Sequence, residues 1–348
     1  MKVVFQFLLI SCFCCSLYGQ TEEVLFTEIP DSYTEVTDLG LIDEYSLMDL
    51  NTVYWNDILD NHPESLSIGI PYDDGVLELD LHEVELFKKD LKVRTASGLE
   101  ISLNDHSESI FYHGTFSGYP NSHFAMSILN NEIIGVGSIP GIGDVNLGKI
   151  ESLDNYIFYS ESALDGQNSF TCDTRGEPAP FPEIDHDSRA VVDDCVGLYF
   201  EVDYDIFLAK GGVIESVDYM TALFNEIQLL FEIDEMTIYI TDLFVWDIES
   251  PYFEESDTGV LLDLFGTTTT EWEGDLGHLV TNSASGGLAW LGVFCSPAQA
   301  IRKAVSGISL TFEGIPIYSW SVEVISHEMG HNMGSPHTHA CFWNGDLT

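Results

Sequence analysis

Near its end the chain carries three histidines and a glutamate at the spacing of a metal site: His327, Glu328, His331 and His337. Residues four apart lie one above the other on an α-helix, so His327 and His331 can bind one cation from the same face. Gly334 can adopt the left-handed conformation that ends a helix, which lets the chain turn and bring His337 back as a third ligand. Three neutral imidazoles suit Zn²⁺ and leave a fourth position for water. We therefore predict a site for one zinc ion at the three histidines.

Glu328 follows the first histidine and lies about a hundred degrees further round the same helix. Its carboxylate can accept a proton from a water molecule that zinc activates and then pass that proton to a leaving amine. A purely structural zinc site has no need of such a base. The pattern predicts a zinc endopeptidase in which Glu328 is the catalytic general base.

The segments that must position these residues have the periodicity of an α/β layer. Residues 318–333 are apolar nearly all round at helical spacing, and residues 217–231 also follow a helical period. Residues 198–206 alternate as a strand does, whereas residues 236–246 and 286–293 form the apolar runs of buried strands. Strand, helix and strand in this order predict a mixed, twisted sheet packed on helices.

The first half of the chain has a different character. Residues 20–190 contain short alternating segments such as Val76–Leu81 and Ile133–Ile139, which predict a β-rich region that resembles a propeptide. The stretch from Phe170 to Ala190 is rich in proline and is the predicted boundary. Residues 191–348 are then the catalytic domain.

The N-terminus has the features of an export signal. Lys2 is followed by an apolar run that ends at Gly19, which predicts a cleaved signal peptide over residues 1–19 and a secreted protein. Leu9–Cys12 resembles a lipoprotein box, so a lipid anchor is the alternative. The apolar run is short for a transmembrane span and no later segment is long enough, so we expect no stable membrane span.

The chain is strongly acidic, with 58 acidic against 11 basic residues and a formal charge of -47. This charge argues against a nucleic-acid partner. It suits a salty environment, where counterions screen the repulsion, or sites that collect Ca²⁺.

The residues from His327 to His337 resemble the long zinc signature of the metzincin metallopeptidases. Within that class, the chain resembles secreted bacterial members of the reprolysin/adamalysin group. That closer resemblance rests on Tyr318–Trp320 before the motif, on Gly334–Cys341 at its end, and on Leu198–Glu201 at the start of the domain. It covers roughly residues 195–346.

The resemblance implies a metzincin-like fold and a polypeptide substrate bound in extended form along Gly286–Val293. A plain core strand is the alternative for this segment. It also implies a Met-turn after the third histidine. No methionine follows His337 in this sequence, so we expect the chain to be truncated before that turn. Thr338 stands where animal reprolysins usually carry aspartate, so the features specific to that subfamily are not carried over to this chain.

Further candidates follow from the same resemblance. Cys172 is a candidate inhibitory zinc ligand in the pro-region, with a pro-region disulfide or an inert thiol as the alternatives. Arg175 and Arg189 are candidate processing sites. Glu201 and Asp275 are candidate Ca²⁺ ligands, with ordinary surface carboxylates as the alternative.

Two other functions stay open from the sequence. The first is a secreted binding or adhesion protein whose zinc site is structural or vestigial. The second is an inactive truncated fragment, which an open reading frame continuing past Thr348 would support.

Overall fold

The computed structural model describes residues 24–30, 42, 44–87, 91–103, 109–129, 132–150, 153–164, 172–175, 195–312 and 315–337. These residues form five α-helices and three β-sheets. The helices are α1 (Thr52–Asn61), α2 (Tyr204–Lys210), α3 (Val213–Ile233), α4 (Thr258–Thr268) and α5 (Ser319–Met333).

The larger sheet has nine antiparallel strands, all from the first half of the chain. In chain order they are β1 (Phe26–Glu28), β2 (Tyr45–Leu50), β3 (Ser65–Tyr72), β4 (Gly75–Glu83), β7 (Ile110–Phe116), β8 (His123–Ile128), β9 (Ile133–Ile139), β10 (Gly143–Lys149) and β11 (Tyr156–Ser160). Their spatial order is β1-β2-β11-β10-β9-β8-β7-β4-β3. The predicted β-rich character of this region is confirmed, including the strands at Val76–Leu81 and Ile133–Ile139.

The second sheet has eight strands and contains the predicted α/β layer. Its strands are β5 (Lys92–Thr95), β6 (Glu100–Ser102), β12 (Cys172–Arg175), β13 (Val196–Val202), β14 (Ile238–Val245), β15 (Leu276–Thr281), β16 (Gly286–Trp290) and β17 (Lys303–Gly307), in the order β12-β16-β17-β15-β13-β14-β5-β6. The four strands β17, β15, β13 and β14 are parallel, and β16 is antiparallel to β17. A two-stranded hairpin, β18 (Thr311–Phe312) with β19 (Ile315–Pro316), precedes α5.

Three strands of this second sheet come from the first half of the chain. The hairpin β5–β6 extends the sheet beyond β14, with β5 parallel to β14. At the opposite edge, β12 lies parallel to β16. The two sheets therefore do not divide the chain at a single position near Ala190.

Helix α3 lies between the two sheets, in contact with β14 and with β7, β8 and β9. Val217, Met220, Phe224 and Ile227, the positions at helical spacing, join the buried core that strands β13 and β14 also line. The helix also carries a buried amide, Asn225, whose Nδ2 donates to the backbone oxygen of Met126 (3.1 Å) in the nine-stranded sheet. Helical periodicity thus predicted this helix correctly. Its buried polar residue Asn225 forms a hydrogen bond with the nine-stranded sheet.

The predicted strand over residues 198–206 is wrong at its end. Strand β13 stops at Val202, and α2 begins at Tyr204. Asp203 is the reason: its carboxylate accepts a hydrogen bond from the backbone N–H of Tyr204 (2.7 Å), which caps the helix. The alternation of Tyr204 and Ile206 with acidic residues continues the strand pattern by coincidence.

Helix α1 was not expected in a region with little helical periodicity. Its N-cap is Asn51, whose Oδ1 accepts hydrogen bonds from the backbone N–H groups of Val53 and Tyr54 (both 3.2 Å). An asparagine before the first turn is the signal that indicates this helix.

Candidate metal centre

Helix α5 ends where the sequence predicts. Gly334 has φ 108°, a left-handed conformation that glycine adopts without strain. Its N–H donates to the His331 carbonyl (3.0 Å), and the N–H of Ser335 donates to the Gly330 carbonyl (2.9 Å). These bonds satisfy the last carbonyls of the helix and reverse the chain, so that His337 returns towards the face that carries the first two histidines.

The three predicted ligands are brought together. One ring nitrogen each of His327, His331 and His337 lies within 4.8 Å of the other two. The Nε2 atoms of His331 and His337 are 3.2 Å apart. A tetrahedral zinc ion with Zn–N bonds of about 2.0–2.1 Å separates its nitrogen ligands by about 3.3 Å. The donor set and its spacing therefore fit Zn²⁺.

The tautomer of His331 is fixed by its surroundings. Its Nδ1 lies 2.6 Å from the backbone oxygen of Ser335, so Nδ1 carries the proton and donates. The lone pair is then on Nε2, the atom that faces His337. A hydrogen bond of this kind orients a metal-binding imidazole and raises its basicity.

The electrostatics of the cluster also favour a cation. Burial, followed by the neighbouring rings of His331 and His337, lowers the pKa of His327 to about 4. Burial likewise lowers the pKa of His331, although the hydrogen bond to Ser335 acts in the opposite direction. Both imidazoles are therefore neutral at pH 7 and have lone pairs available for a metal ion.

Glu328, the predicted base, is fully buried on α5. It lies against Gly287 of β16, with its carboxyl group next to the strand backbone. Strand β16 is the segment predicted to align an extended substrate. The base and the predicted substrate strand are thus in direct contact.

The end of α5 is tied to β16 by a residue that the sequence analysis missed. Asn332 is fully buried, and its Nδ2 donates to the backbone oxygens of Trp290 (2.9 Å) and Lys303 (3.0 Å). The signal in the sequence is a polar side chain in a helix that is apolar nearly all round, since a buried amide needs hydrogen-bond partners on neighbouring elements.

The predicted strand over residues 286–293 is too long. Strand β16 ends at Trp290, and Gly292 follows in a left-handed conformation with φ 66°. The N–H of Gly292 donates to the His331 carbonyl (2.8 Å), and that of Val293 donates to the Asn332 carbonyl (2.9 Å). Because these two N–H groups donate to carbonyls at the end of α5, they cannot form hydrogen bonds with a neighbouring strand.

Strand β12 occupies the outer edge of β16. Cys172 is in register with Gly287, and Arg175 is in register with Trp290. The thiol of Cys172 lies outside the described atoms, so its role as a zinc ligand stays a prediction. The other predicted processing site, Arg189, also lies outside the described residues.

The two predicted calcium ligands are not brought to one site. Asp275 accepts a hydrogen bond from the backbone N–H of Gly197 (2.8 Å), at the first end of β13. Glu201 lies four residues further along β13, a distance of about 13 Å at the rise of a strand. They cannot share one cation across that distance.

Glu201 is also saturated by neutral donors. It is buried, and its carboxylate accepts hydrogen bonds from the hydroxyl of Tyr199 (2.6 Å), the hydroxyl of Thr269 (2.6 Å) and the indole N–H of Trp246 (2.8 Å). These contacts hold a buried carboxylate without a metal ion.

Residues 193–344 match the Reprolysin_5 model, which describes metallo-peptidase family M12. The match spans β13 to α5 and includes the three histidines and Glu328. It indicates a metallopeptidase domain in this part of the chain and implies a polypeptide substrate.

In the part of the chain that the structure describes, no helix is long and apolar enough to cross a membrane.

Proposed function

We propose that this protein is a secreted zinc-dependent endopeptidase. The observation that carries the proposal is the histidine cluster, in which His331 has its tautomer fixed by Ser335 and lies 3.2 Å from His337. His327, His331 and His337 hold the ion. When bound, zinc lowers the pKa of a water molecule and polarises the peptide carbonyl.

In this proposal the protein's own groups move the proton and place the substrate. The carboxylate of Glu328 accepts the proton of the attacking water and delivers it to the departing amine nitrogen. Strand β16 aligns an extended polypeptide by backbone hydrogen bonds. The contact of Glu328 with β16 supports this arrangement, because the base then lies beside the bound peptide.

We further propose that the first half of the chain is an inhibitory pro-region. One edge of β16 is paired with β17 and the other with β12. A substrate strand cannot pair with the outer edge of β16 while β12 occupies it. Cys172 is the residue proposed to reach the metal, and cleavage near Arg175 or Arg189 is proposed to release the block.

The experiment compares the purified full chain with Glu328→Gln, using a fluorogenic peptide library before and after limited proteolysis of the junction. Glutamine keeps the size of the side chain but cannot accept the proton, so we expect zinc to stay bound at one equivalent and hydrolysis to fall by 10²–10⁴-fold. Glu323→Gln changes an exposed carboxylate on the same helix and is the matched control.

A chelator should abolish hydrolysis, and added zinc should restore it. Hydrolysis that survives both the chelator and Glu328→Gln would exclude the zinc mechanism. One equivalent of bound zinc with no hydrolysis before or after processing would instead favour the binding or adhesion function.

A further inference from the structure

Gly287 of β16 leaves no room for a side chain. A Cβ atom at this position would lie 2.5 Å from both Cγ and Oε1 of Glu328 and 2.7 Å from its Cδ. Non-bonded carbon atoms prefer separations of about 3.5–4.0 Å. The carboxyl group of Glu328 therefore occupies the space that any other residue at position 287 would fill.

The backbone conformation does not by itself require glycine here. The preceding residue, Gly286, has φ 75°, which favours glycine, but Gly287 is not among the glycines of positive φ. Its pairing is regular, with Ser306 on β17 and with Cys172 on β12. The reason for a glycine at position 287 is thus its contact with Glu328.

The strand and the helix cannot simply move apart to admit a methyl group. Asn332 donates hydrogen bonds to Trp290 at the end of β16 and to Lys303 on β17, so α5 is fixed to both strands. The N–H of Gly292 donates to the His331 carbonyl and makes a third link. A methyl group at position 287 must then displace the side chain of Glu328, whose Cγ, Cδ and Oε1 are the atoms that it meets.

We propose that Gly287 is a positioning residue for the general base. By exposing only its backbone to Glu328, Gly287 sets how closely the carboxyl group approaches β16, the strand that aligns the substrate. The inference rests on the proposed function, since it assigns a purpose to a contact of the proposed base. It gives Gly287 no direct part in binding zinc.

The kinetic test is Gly287→Ala in the processed protein. A displacement of about 1 Å in a catalytic group can cost on the order of 100-fold in rate. We expect kcat to fall by about that factor, with bound zinc at one equivalent and KM within about twofold of wild type. A variant with normal kcat would overturn the proposal, and so would one that lost its zinc.

Gly277→Ala is the matched control. Gly277 lies in β15 of the same sheet, but a Cβ atom there would meet its nearest neighbours at 3.4–3.5 Å, which is ordinary contact. We expect this variant to keep the zinc content and kcat of wild type. An equal loss of kcat in both variants would show that any added methyl group in the sheet is harmful, and would overturn the specific role of Gly287.

A second readout does not depend on activity. The melting temperature of the metal-free protein should fall in Gly287→Ala and recover in Gly287→Ala/Glu328→Ala, because the second change removes all three atoms that the new methyl group meets. Additive losses of melting temperature would refute the contact even in a fully active enzyme. Absence of zinc-dependent hydrolysis in wild type would overturn the proposed function and the catalytic part of this inference. The melting temperatures of the two single variants and the double variant would still decide whether the contact exists.

Discussion

Asp203 allows a quantitative test of how a buried charge affects the stability of the eight-stranded sheet. The residue is fully buried at the junction of β13 and α2, where its carboxylate accepts hydrogen bonds from the backbone N–H of Tyr204 and the hydroxyl of Ser250. Burial, followed by the charge of the nearby Asp205, raises its pKa from 3.8 to about 6. The folded protein therefore binds this proton more tightly than the unfolded chain does.

The magnitude and the sign of the effect follow from that pKa. One pKa unit is worth about 1.4 kcal/mol, so the rise corresponds to about 3 kcal/mol. The free energy of unfolding is lowered by up to this amount when the pH is above about 6, because the buried group is then ionised. The penalty disappears as the pH falls below 3.8.

The perturbation is Asp203→Asn, which keeps an oxygen able to cap α2 but removes the ionisable group. We expect the variant to be more stable than wild type by up to about 3 kcal/mol at pH 7.5, with a difference that shrinks towards zero near pH 4. Urea unfolding followed by tryptophan fluorescence at several pH values measures this difference.

Asp257→Asn is the control for this experiment. It makes the same chemical change at an exposed N-cap, that of α4, where Asp257 accepts hydrogen bonds from Gly259 and Val260. Burial cannot penalise the charge there. A difference between wild type and Asp203→Asn that is constant from pH 4 to pH 7.5 would refute the reasoning.

Two further predictions concern the attachment of the first half of the chain. Cys172→Ala should remove the thiolate-to-metal absorption band of the unprocessed protein loaded with Co²⁺, because it removes the proposed blocking thiolate while β12 stays on the outer edge of β16; an unchanged spectrum would reject the zinc-blocking role. Arg94→Met should lower the free energy of unfolding by about 1 kcal/mol, since it removes the two-point ion pair in which Nη2 of Arg94 lies 2.6 Å from Oδ2 of Asp242. Asp242→Asn, measured together with the double variant, completes the cycle, and purely additive losses would contradict a direct interaction.

The histidine cluster was largely predictable because its determinants are local. The spacing of His327 and His331 fixes their common face once a helix forms, and Gly334 marks where that helix ends. The position of His337 then follows from a short turn. None of these steps needs information about distant parts of the chain.

The fold was harder to predict wherever pairing is long-range. Strands β5 and β12 have the composition of the first half of the chain, yet they join the sheet of the second half. Strand pairing between distant segments depends on the final arrangement of both sheets, and alternation within one strand does not reveal its partner. The predicted boundary near Ala190 rests on a change in composition along the chain. The membership of a strand in one sheet or the other is decided instead by which strand it pairs with.

The calcium candidates show the limit of resemblance at single positions. Glu201 and Asp275 each resemble a calcium-binding position of the family, but a site shared by both requires their carboxylates to converge. In this protein β13 separates them, and Glu201 has neutral partners of its own. The contact of Gly287 with Glu328 was equally invisible in the sequence, because it joins two elements that only the tertiary structure brings together.

The strands at the two edges of the eight-stranded sheet have a consequence for solubility. Among the residues that the structure describes, one edge ends in β6, with three residues, and the other in β12, with four. A long open edge is a template on which another chain can add its own strand and start an aggregate, and very short edge strands prevent this. By pairing with Leu243–Val245 of β14 and with Gly287–Trp290 of β16, the first half of the chain shortens the edge that is open to intermolecular pairing.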